Sequence, residues 1–157
     1  KPTLSFQESC VVVGDSSGRS KVKYFYSSED TLTTPQKDIN MPDAEVSFTL
    51  DSSTLDKVKR AASTLGHSEV VIKPGNGSIV LSVTEMQNST SNSFDIDIAG
   101  EYPEGVDFNM ILDITNLKII PGDYDVKLSS KLISQFSHKG LNVQYWIALE
   151  KTSTYGV

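Results

Sequence analysis

Apolar and polar residues alternate along two stretches of the chain that lie 62 positions apart. The apolar positions are Val46, Phe48 and Leu50 in the first stretch and Phe108, Met110 and Leu112 in the second. A period of two predicts a half-buried β-strand. Each strand ends at an aspartate, Asp51 or Asp113, whose carboxylate can cap the first N–H groups of a following helix. A leucine, Leu55 or Leu117, follows four residues after each aspartate. The pattern therefore predicts a strand–helix unit that is used twice.

Other stretches with the same alternation predict a strand-rich α+β fold around these units. Strands are expected within residues 1–27, followed by an extended connector at 28–43. The expected elements after the connector are strand 45–50, helix 52–65, strands 69–73, 78–85, 93–101 and 106–112, and a second helix at 114–120. Two strands, at 124–130 and 141–150, complete the chain. Whether a third strand forms at 132–137 stays open from the sequence.

The first predicted helix is amphipathic. Its apolar stripe has helical spacing and consists of Leu55, Val58, Ala62 and Leu65. Lys57, Arg60 and Thr64 lie on the opposite side, and Lys59 lies at the margin. Two interpretations stay open at this point, a solvated helix face or a surface that contacts a polyanion backbone. Lys118, in the second predicted helix, could add to such a surface.

Composition limits the possible functions. The 157 residues carry a net charge of −6, which argues against binding of nucleic acid by the whole surface but not by a local basic face. The single cysteine, Cys10, cannot form an internal disulfide and is expected to be a small buried apolar group. No stretch approaches the ~18 apolar residues of a membrane span. The two histidines and one cysteine give no metal-ligand spacing, so we expect no bound metal. We also expect no cofactor and no membrane partner.

One segment matches an enzyme motif by its letters. Gly14-Asp15-Ser16-Ser17-Gly18 fits the G-x-S-x-G pattern, which requires a helix after the serine. The next residues, 21–26, alternate as a strand, so a hairpin turn is expected and no catalytic residue is assigned. A serine hydrolase acting through Ser16 is the least favoured hypothesis. Asp95 and Asp97 alternate with apolar residues and are expected on the solvent face of a strand.

Four segments carry a resemblance to a known family. They are Phe108-Asn109-Met110-Ile111-Leu112, Asn116-Leu117-Lys118, Pro121-Gly122-Asp123-Tyr124 and Tyr145-Trp146-Ile147-Ala148-Leu149-Glu150. In their order and spacing the chain resembles the DNA polymerase sliding clamp, or processivity factor, of T-even-type bacteriophages. The resemblance is best over residues 106–157, fair over 44–105, and rests mainly on the order of elements over 1–43.

The resemblance implies the sliding-clamp fold, in which helices line a central hole and sheets lie outside. It implies that Lys57, Lys59, Arg60 and Lys118 face duplex DNA and contact phosphates without sequence preference. It further implies a non-enzymatic protein of the infected bacterial cytoplasm that tethers DNA polymerase, is served by a clamp loader, and closes as a head-to-tail homotrimer through edge strands at 21–27 and 93–101.

The resemblance also implies a domain organisation and a partner site. Residues 1–43 are expected to be the closing strands of a truncated first clamp domain, most of which the chain is expected to lack, plus the connector. Residues 44–157 are expected to be a complete second domain. A partner peptide is expected near the connector and the 150–157 tail, in a pocket formed by Tyr26, Leu32, Ile39, Met41 and Glu150. The alternative to a clamp is a non-enzymatic strand-rich module, such as a phage structural or adhesion domain, in which the basic helix is only a solvated face.

Overall fold

The structure, a computed structural model, describes residues 1–33, 38–88 and 90–156. Parts of the predicted connector (34–37), of the polar loop (Ser89) and of the tail (Val157) therefore lie outside the described residues. The chain divides into two compact units, Lys1–Asp38 and Ile39–Val157, and the boundary between them in the sequence falls within the predicted connector.

The first unit is an antiparallel meander of β1 (Thr3–Phe6), β2 (Cys10–Gly14) and β3 (Lys21–Phe25). The carboxylate of Asp15 organises the β2–β3 turn by accepting hydrogen bonds from the hydroxyls of Ser17 and Ser20, at 2.9 and 2.8 Å. These bonds, that of Ser20 first, hold the pKa of Asp15 below its usual value. The hairpin turn predicted at the G-x-S-x-G match is thus confirmed. Cys10 is buried as expected, with its thiol donating to Gln7 Oε1 at 3.2 Å.

The second unit consists of two five-stranded antiparallel sheets and an α-helix. Its elements are β4 (Val46–Leu50), α1 (Ser52–Leu65), β5 (Glu69–Pro74), β6 (Ile79–Thr84), β7 (Phe94–Ile98), β8 (Gly100–Glu101), β9 (Phe108–Asp113), β10 (Tyr124–Ser129), β11 (Ile133–His138), β12 (Gln144–Ala148) and β13 (Thr154–Tyr155). The strand order is β12-β11-β10-β4-β8 in the first sheet and β13-β9-β5-β6-β7 in the second.

The predicted repeat is confirmed, with one copy in each sheet. β4 leads through Asp51 into α1, and Asp51 accepts a hydrogen bond from Thr54 N at 2.7 Å. β9 leads through Asp113 into a 3-10 helix, and Asp113 accepts from Thr115 N at 2.7 Å. The apolar positions of both copies are buried, including Leu55 and Leu117. α1 ends at Gly66, whose φ of 73° suits a glycine.

The core of the second unit lies between its two sheets and is closed by α1. It is formed by residues of both sheets together with the apolar stripe of the helix; the helix contributes Leu55, Val58 and Ala62. A small interior void is lined by Leu55 and Val58 together with residues of both sheets, among them Phe48, Ile72 and Phe136. The helix therefore seals the two sheets and exposes its opposite side to solvent.

The second predicted helix is shorter than expected and is not α-helical. The sequence predicted a helix over 114–120, whereas a 3-10 helix covers Ile114–Leu117. Ile119 turns into the core, and both backbone groups of Ile120 bind tyrosine hydroxyls: Tyr145 Oη accepts from its N–H and Tyr124 Oη donates to its carbonyl. Lys118, with a ψ of 58°, is already outside helical geometry, and the N–H of Ile120 bonds to Tyr145 instead of to a helix carbonyl. Burial also raises the pKa of the Tyr124 phenol.

The strand predicted at 93–101 is divided between the two sheets. β7 pairs with β6, whereas β8 pairs with β4, so the chain changes sheet at Ala99. Gly100 makes this crossing possible, because a Cβ there would lie 2.3 Å from Ile79 Cδ1 and 2.8 Å from Ser47 O. Alternation alone cannot reveal such a change, since the apolar period continues through it.

The C-terminal strands differ from the prediction in two places. The open case at 132–137 is a strand, β11, but the strand predicted at 141–150 is reduced to Gln144–Ala148. A turn occupies the residues before it, since His138 Nδ1 accepts from the N–H groups of Gly140 and Leu141 at 2.9 and 3.0 Å. The short strand β13 in the predicted tail was not expected; it pairs with β9 through Tyr155 and Phe108.

Candidate nucleic-acid interface

α1 presents a basic surface to solvent. Lys57 and Arg60 are exposed, and Lys59 is half-buried at the margin of the apolar stripe, as the sequence predicted. The helix carries three cations and one acid, Asp56, which gives it a net charge of +2 in a chain of net charge −6. We refer to Lys57, Lys59 and Arg60 as the basic face.

The cations of the basic face do not take part in ion pairs within the part of the chain that the structure describes. The ion pairs there join Lys73 to Asp95 at 3.8 Å and Lys139 to Asp125 at 3.4 Å. Exposed cations without a carboxylate partner keep their full attraction for an external anion. The phosphate backbone of a nucleic acid is such an anion. Each lysine or arginine side chain can neutralise one phosphate, and no contact with a base is required.

A surface groove of about 780 Å³ runs beside the basic face. Lys57, Arg60 and Thr64 lie along one wall, and the half-buried Leu65 and Phe94 contribute apolar surface. Sequence reasoning did not identify this groove, because Phe94 begins a strand that is remote from α1 in the chain. The i, i+3, i+7 spacing of the three polar residues was the available signal.

Lys118 is exposed and lies directly after the 3-10 helix, not within a helix as predicted. Its neighbour Leu117 lines the same interior void as Leu55 and Val58 of α1. The 3-10 helix and α1 therefore pack against one region of the core. This shared region connects Lys118 with Lys57, Lys59 and Arg60, the other residues predicted to bind DNA.

The residues of the predicted peptide pocket belong to different units. Tyr26 and Leu32 lie in the first unit and are 50 and 57% exposed. Ile39, Met41 and Glu150 lie in the second unit; Ile39 is 41% exposed and the other two are half-buried. This pocket therefore stays a prediction. Glu150 is held next to β9, since its N–H donates to Ile111 O at 2.8 Å.

Ser16, Asp95 and Asp97 lie on exposed parts of the structure, as the sequence predicted. Ser16 lies in the exposed β2–β3 turn, and β3 follows it directly. Asp95 and Asp97 are exposed, and Asp97 accepts from Ser78 Oγ at 3.0 Å. Among residues 1–33, 38–88 and 90–156, no cluster of three or more His, Cys, Asp or Glu side chains could hold a metal ion. No helix in the same residues is long and apolar enough to cross a membrane.

Comparison with known proteins gives the family. The family model for the gp45 sliding clamp, C terminal, matches residues 47–151. The sliding clamp of Vibrio phage KVP40 is 35% identical over 153 residues, which cover 94% of this chain and 67% of that protein. The sliding clamp of Enterobacteria phage T4 is 25% identical over 140 residues, covering 87% of this chain and 61% of that protein.

Solved structures show the same fold at low identity. The DnaN sliding clamp of Bartonella birtlesii matches with a TM-score of 0.60 at 14% identity, over 96% of this chain and 44% of that one. The DNA polymerase III β subunit of Borrelia burgdorferi matches with a TM-score of 0.59 at 12% identity, over 95% of this chain and 41% of that one. This chain thus spans about two thirds of the length of its phage relatives. Its fold is the sliding-clamp fold, and the chain belongs to the gp45 sliding clamp family.

Proposed function

We propose that this protein acts as a sliding clamp, a non-enzymatic processivity factor that encircles duplex DNA and tethers the replicative polymerase of a phage in the cytoplasm of the infected bacterium. The observation that carries the proposal is the basic face, a cationic surface that has no carboxylate partner among the described residues of a net-acidic chain. Membership of the clamp family supports the same function. The matches give no support to a phage structural or adhesion module.

The basic face contacts DNA through phosphates. Lys57, Lys59 and Arg60 supply three charges on one helix, and Lys118 adds a fourth next to the 3-10 helix that shares the core with α1. Contacts of this kind are independent of sequence and are weakened by salt. A ring that surrounds the duplex needs no strong contact to stay on it, so weak phosphate contacts let the protein slide.

The remaining partners are proposed from the family. The ring closes head to tail through the edge strands β3 and β7, giving a homotrimer. A clamp loader opens it, and the polymerase docks a short peptide at Tyr26, Leu32, Ile39, Met41 and Glu150. Tethering raises the local concentration of polymerase at the primer end, which increases processivity without an active site in the clamp.

Charge reversal on the basic face tests the proposal. Binding of the Lys57→Glu/Arg60→Glu variant to a duplex of random sequence is measured by fluorescence anisotropy over a range of salt concentrations. Loss of two phosphate contacts should make the negative slope of log K against log salt concentration shallower by about 2. The control variant Lys127→Glu/Lys131→Glu changes the net charge by the same amount. Both lysines are exposed; Lys127 lies in β10 and Lys131 lies two residues after its end. Equal effects of the two variants would show that DNA responds only to overall charge and would contradict the proposal.

A further inference from the structure

The two edge strands in the proposed ring contact carry opposite charge patterns. β3 has the sequence Lys21-Val-Lys23-Tyr24-Phe25, and all five of its residues are exposed. β7 has the sequence Phe94-Asp95-Ile-Asp97-Ile98, in which the two aspartates are exposed and the other three residues are half-buried. Each is the last strand of its sheet, so one of its edges is without a strand partner among the described residues.

The faces of the two strands correspond as well as their charges. Asp95 and Asp97 point away from the core, whereas Phe94, Ile96 and Ile98 pack against it. In the first unit, Val22 and Tyr24 lie on the same sheet face as their cross-strand partners Val13 and Val11, while Lys21 and Lys23 lie on the other. Each edge strand therefore has one apolar face and one face with two like charges; on β3 the charged face also carries Phe25.

One antiparallel register satisfies both faces. It places Lys21 opposite Asp97 and Lys23 opposite Asp95, and the same register places Val22 opposite Ile96 and Tyr24 opposite Phe94. A shift by one residue would put each lysine opposite an apolar residue, because side chains alternate between faces. A shift by two would leave one of the two ion pairs unmade.

We propose that Lys21, Lys23, Asp95 and Asp97 set the register and the head-to-tail direction in which β3 of one copy adds to β7 of a second copy of this chain. This inference rests on the proposed ring and names the residues that determine how it closes. Directly opposite unlike charges stabilise a strand pair and like charges destabilise it. Pairing of β7 with β7, or of β3 with β3, would oppose like charges, so these edges disfavour a two-fold symmetric dimer and favour a heterologous contact.

The internal contacts of the aspartates leave them able to act in this way. Asp95 lies 3.8 Å from Lys73, and the side chains of the two residues are 50 and 37% exposed. Such an exposed pair at long distance is weak. Asp97 accepts a neutral hydrogen bond from Ser78, which orients its carboxylate without neutralising it.

The test is the association of charge-reversed variants, measured by light scattering over a concentration series. Wild-type protein is expected to associate, and raising the salt concentration to weaken association, because the four charges are exposed. Lys21→Glu/Lys23→Glu and Asp95→Lys/Asp97→Lys should each need about 10-fold more protein to associate. An equimolar mixture of the two should recover association, since each β3 then meets a β7 of opposite charge.

A rescue experiment with single substitutions decides the register, and separate measurements establish that each variant is folded. Lys21→Glu should be rescued by Asp97→Lys and not by Asp95→Lys, because a parallel arrangement would reverse this preference. Circular dichroism and thermal melting of each variant establish that it is folded, and the Lys127→Glu/Lys131→Glu variant controls for net charge.

Each outcome distinguishes this inference from the proposed function. A monomeric wild-type protein at all concentrations, or a failure of the mixture to recover association, would overturn the inference. DNA binding through α1 is measured separately on the Lys57→Glu/Arg60→Glu variant. An unchanged salt slope in that variant would overturn the proposed function while leaving the strand pairing as measured.

Discussion

Leu55 of α1 and Leu117 of the 3-10 helix line the same interior void, although they belong to different copies of the repeat. Each is 3% exposed. The repeated strand–helix unit thus brings its two helices to one region of the core. The basic face lies on one of these helices, and Lys118 directly follows the other.

Truncation of Leu55 should destabilise the second unit. Leu55→Ala removes buried methyl groups next to an existing void, so we expect a loss of about 3 kcal/mol in the free energy of unfolding. Urea denaturation followed by circular dichroism measures this. Leu141→Ala is the matched control, because Leu141 is 51% exposed and its truncation should cost little. Equal losses in the two variants would contradict the packing of α1 described above.

The N-cap of α1 should depend on a hydrogen-bond acceptor at residue 51. Asp51 accepts from Thr54 N at 2.7 Å and from Thr54 Oγ1 at 3.1 Å. Asp51→Ala should cost about 1 kcal/mol, whereas Asp51→Asn should retain most of the stability because an amide oxygen can accept the same bond. Thermal melting of the two variants tests this, and an alanine variant as stable as the asparagine variant would argue against the cap.

The crossing of the chain between sheets should be intolerant of a side chain at residue 100. A Cβ on Gly100 would lie 2.3 Å from Ile79 Cδ1 and 3.0 Å from Phe48 Cβ. Gly100→Ala should therefore lower the free energy of unfolding by about 1–3 kcal/mol through overpacking. Gly140→Ala is a suitable comparison, since a Cβ there would be 3.5 Å from its nearest neighbour. A neutral Gly100→Ala would mean that β4 and β8 are not so closely paired.

Glu45 should make stability depend on pH in the acid range. Burial raises its pKa, but hydrogen bonds from Ser130 Oγ at 2.7 Å and Ser130 N at 2.9 Å outweigh this, so that the pKa lies below its usual 4.5. A lowered folded-state pKa stabilises the protein above the unfolded-state value, and this contribution is lost as the pH falls through the folded-state pKa. Glu45→Gln should therefore be less stable than wild type at pH 7 by about 1 kcal/mol, with a smaller difference in acid.

The experiment compares urea midpoints of wild type and Glu45→Gln from neutral to acid pH. A difference that stays constant with pH would show that the ionised carboxylate contributes nothing specific.

The sequence predicted the features that depend on local periodicity and capping. The bounds of α1 follow from the position of Asp51, the apolar stripe and Gly66, all of which are local signals. The basic face follows from the same helical period. The length of the second helix could not be predicted, because the segment that follows Leu117 is fixed by tertiary contacts. One of them joins Ile120 N to the hydroxyl of Tyr145, 25 residues away in the sequence. The division of 93–101 at Ala99 likewise depends on two different partner strands, β6 and β4.

Topological retention on DNA tests the central claim most directly. The protein is loaded on nicked circular duplex with the polymerase and clamp loader of a related phage, washed at high salt, and the DNA is then cut once. A clamp stays on the circle and is released when the DNA becomes linear, because phosphate contacts alone are weak at high salt. Equal retention on circular and linear DNA would contradict the account, since a protein held by direct contacts does not sense the ends.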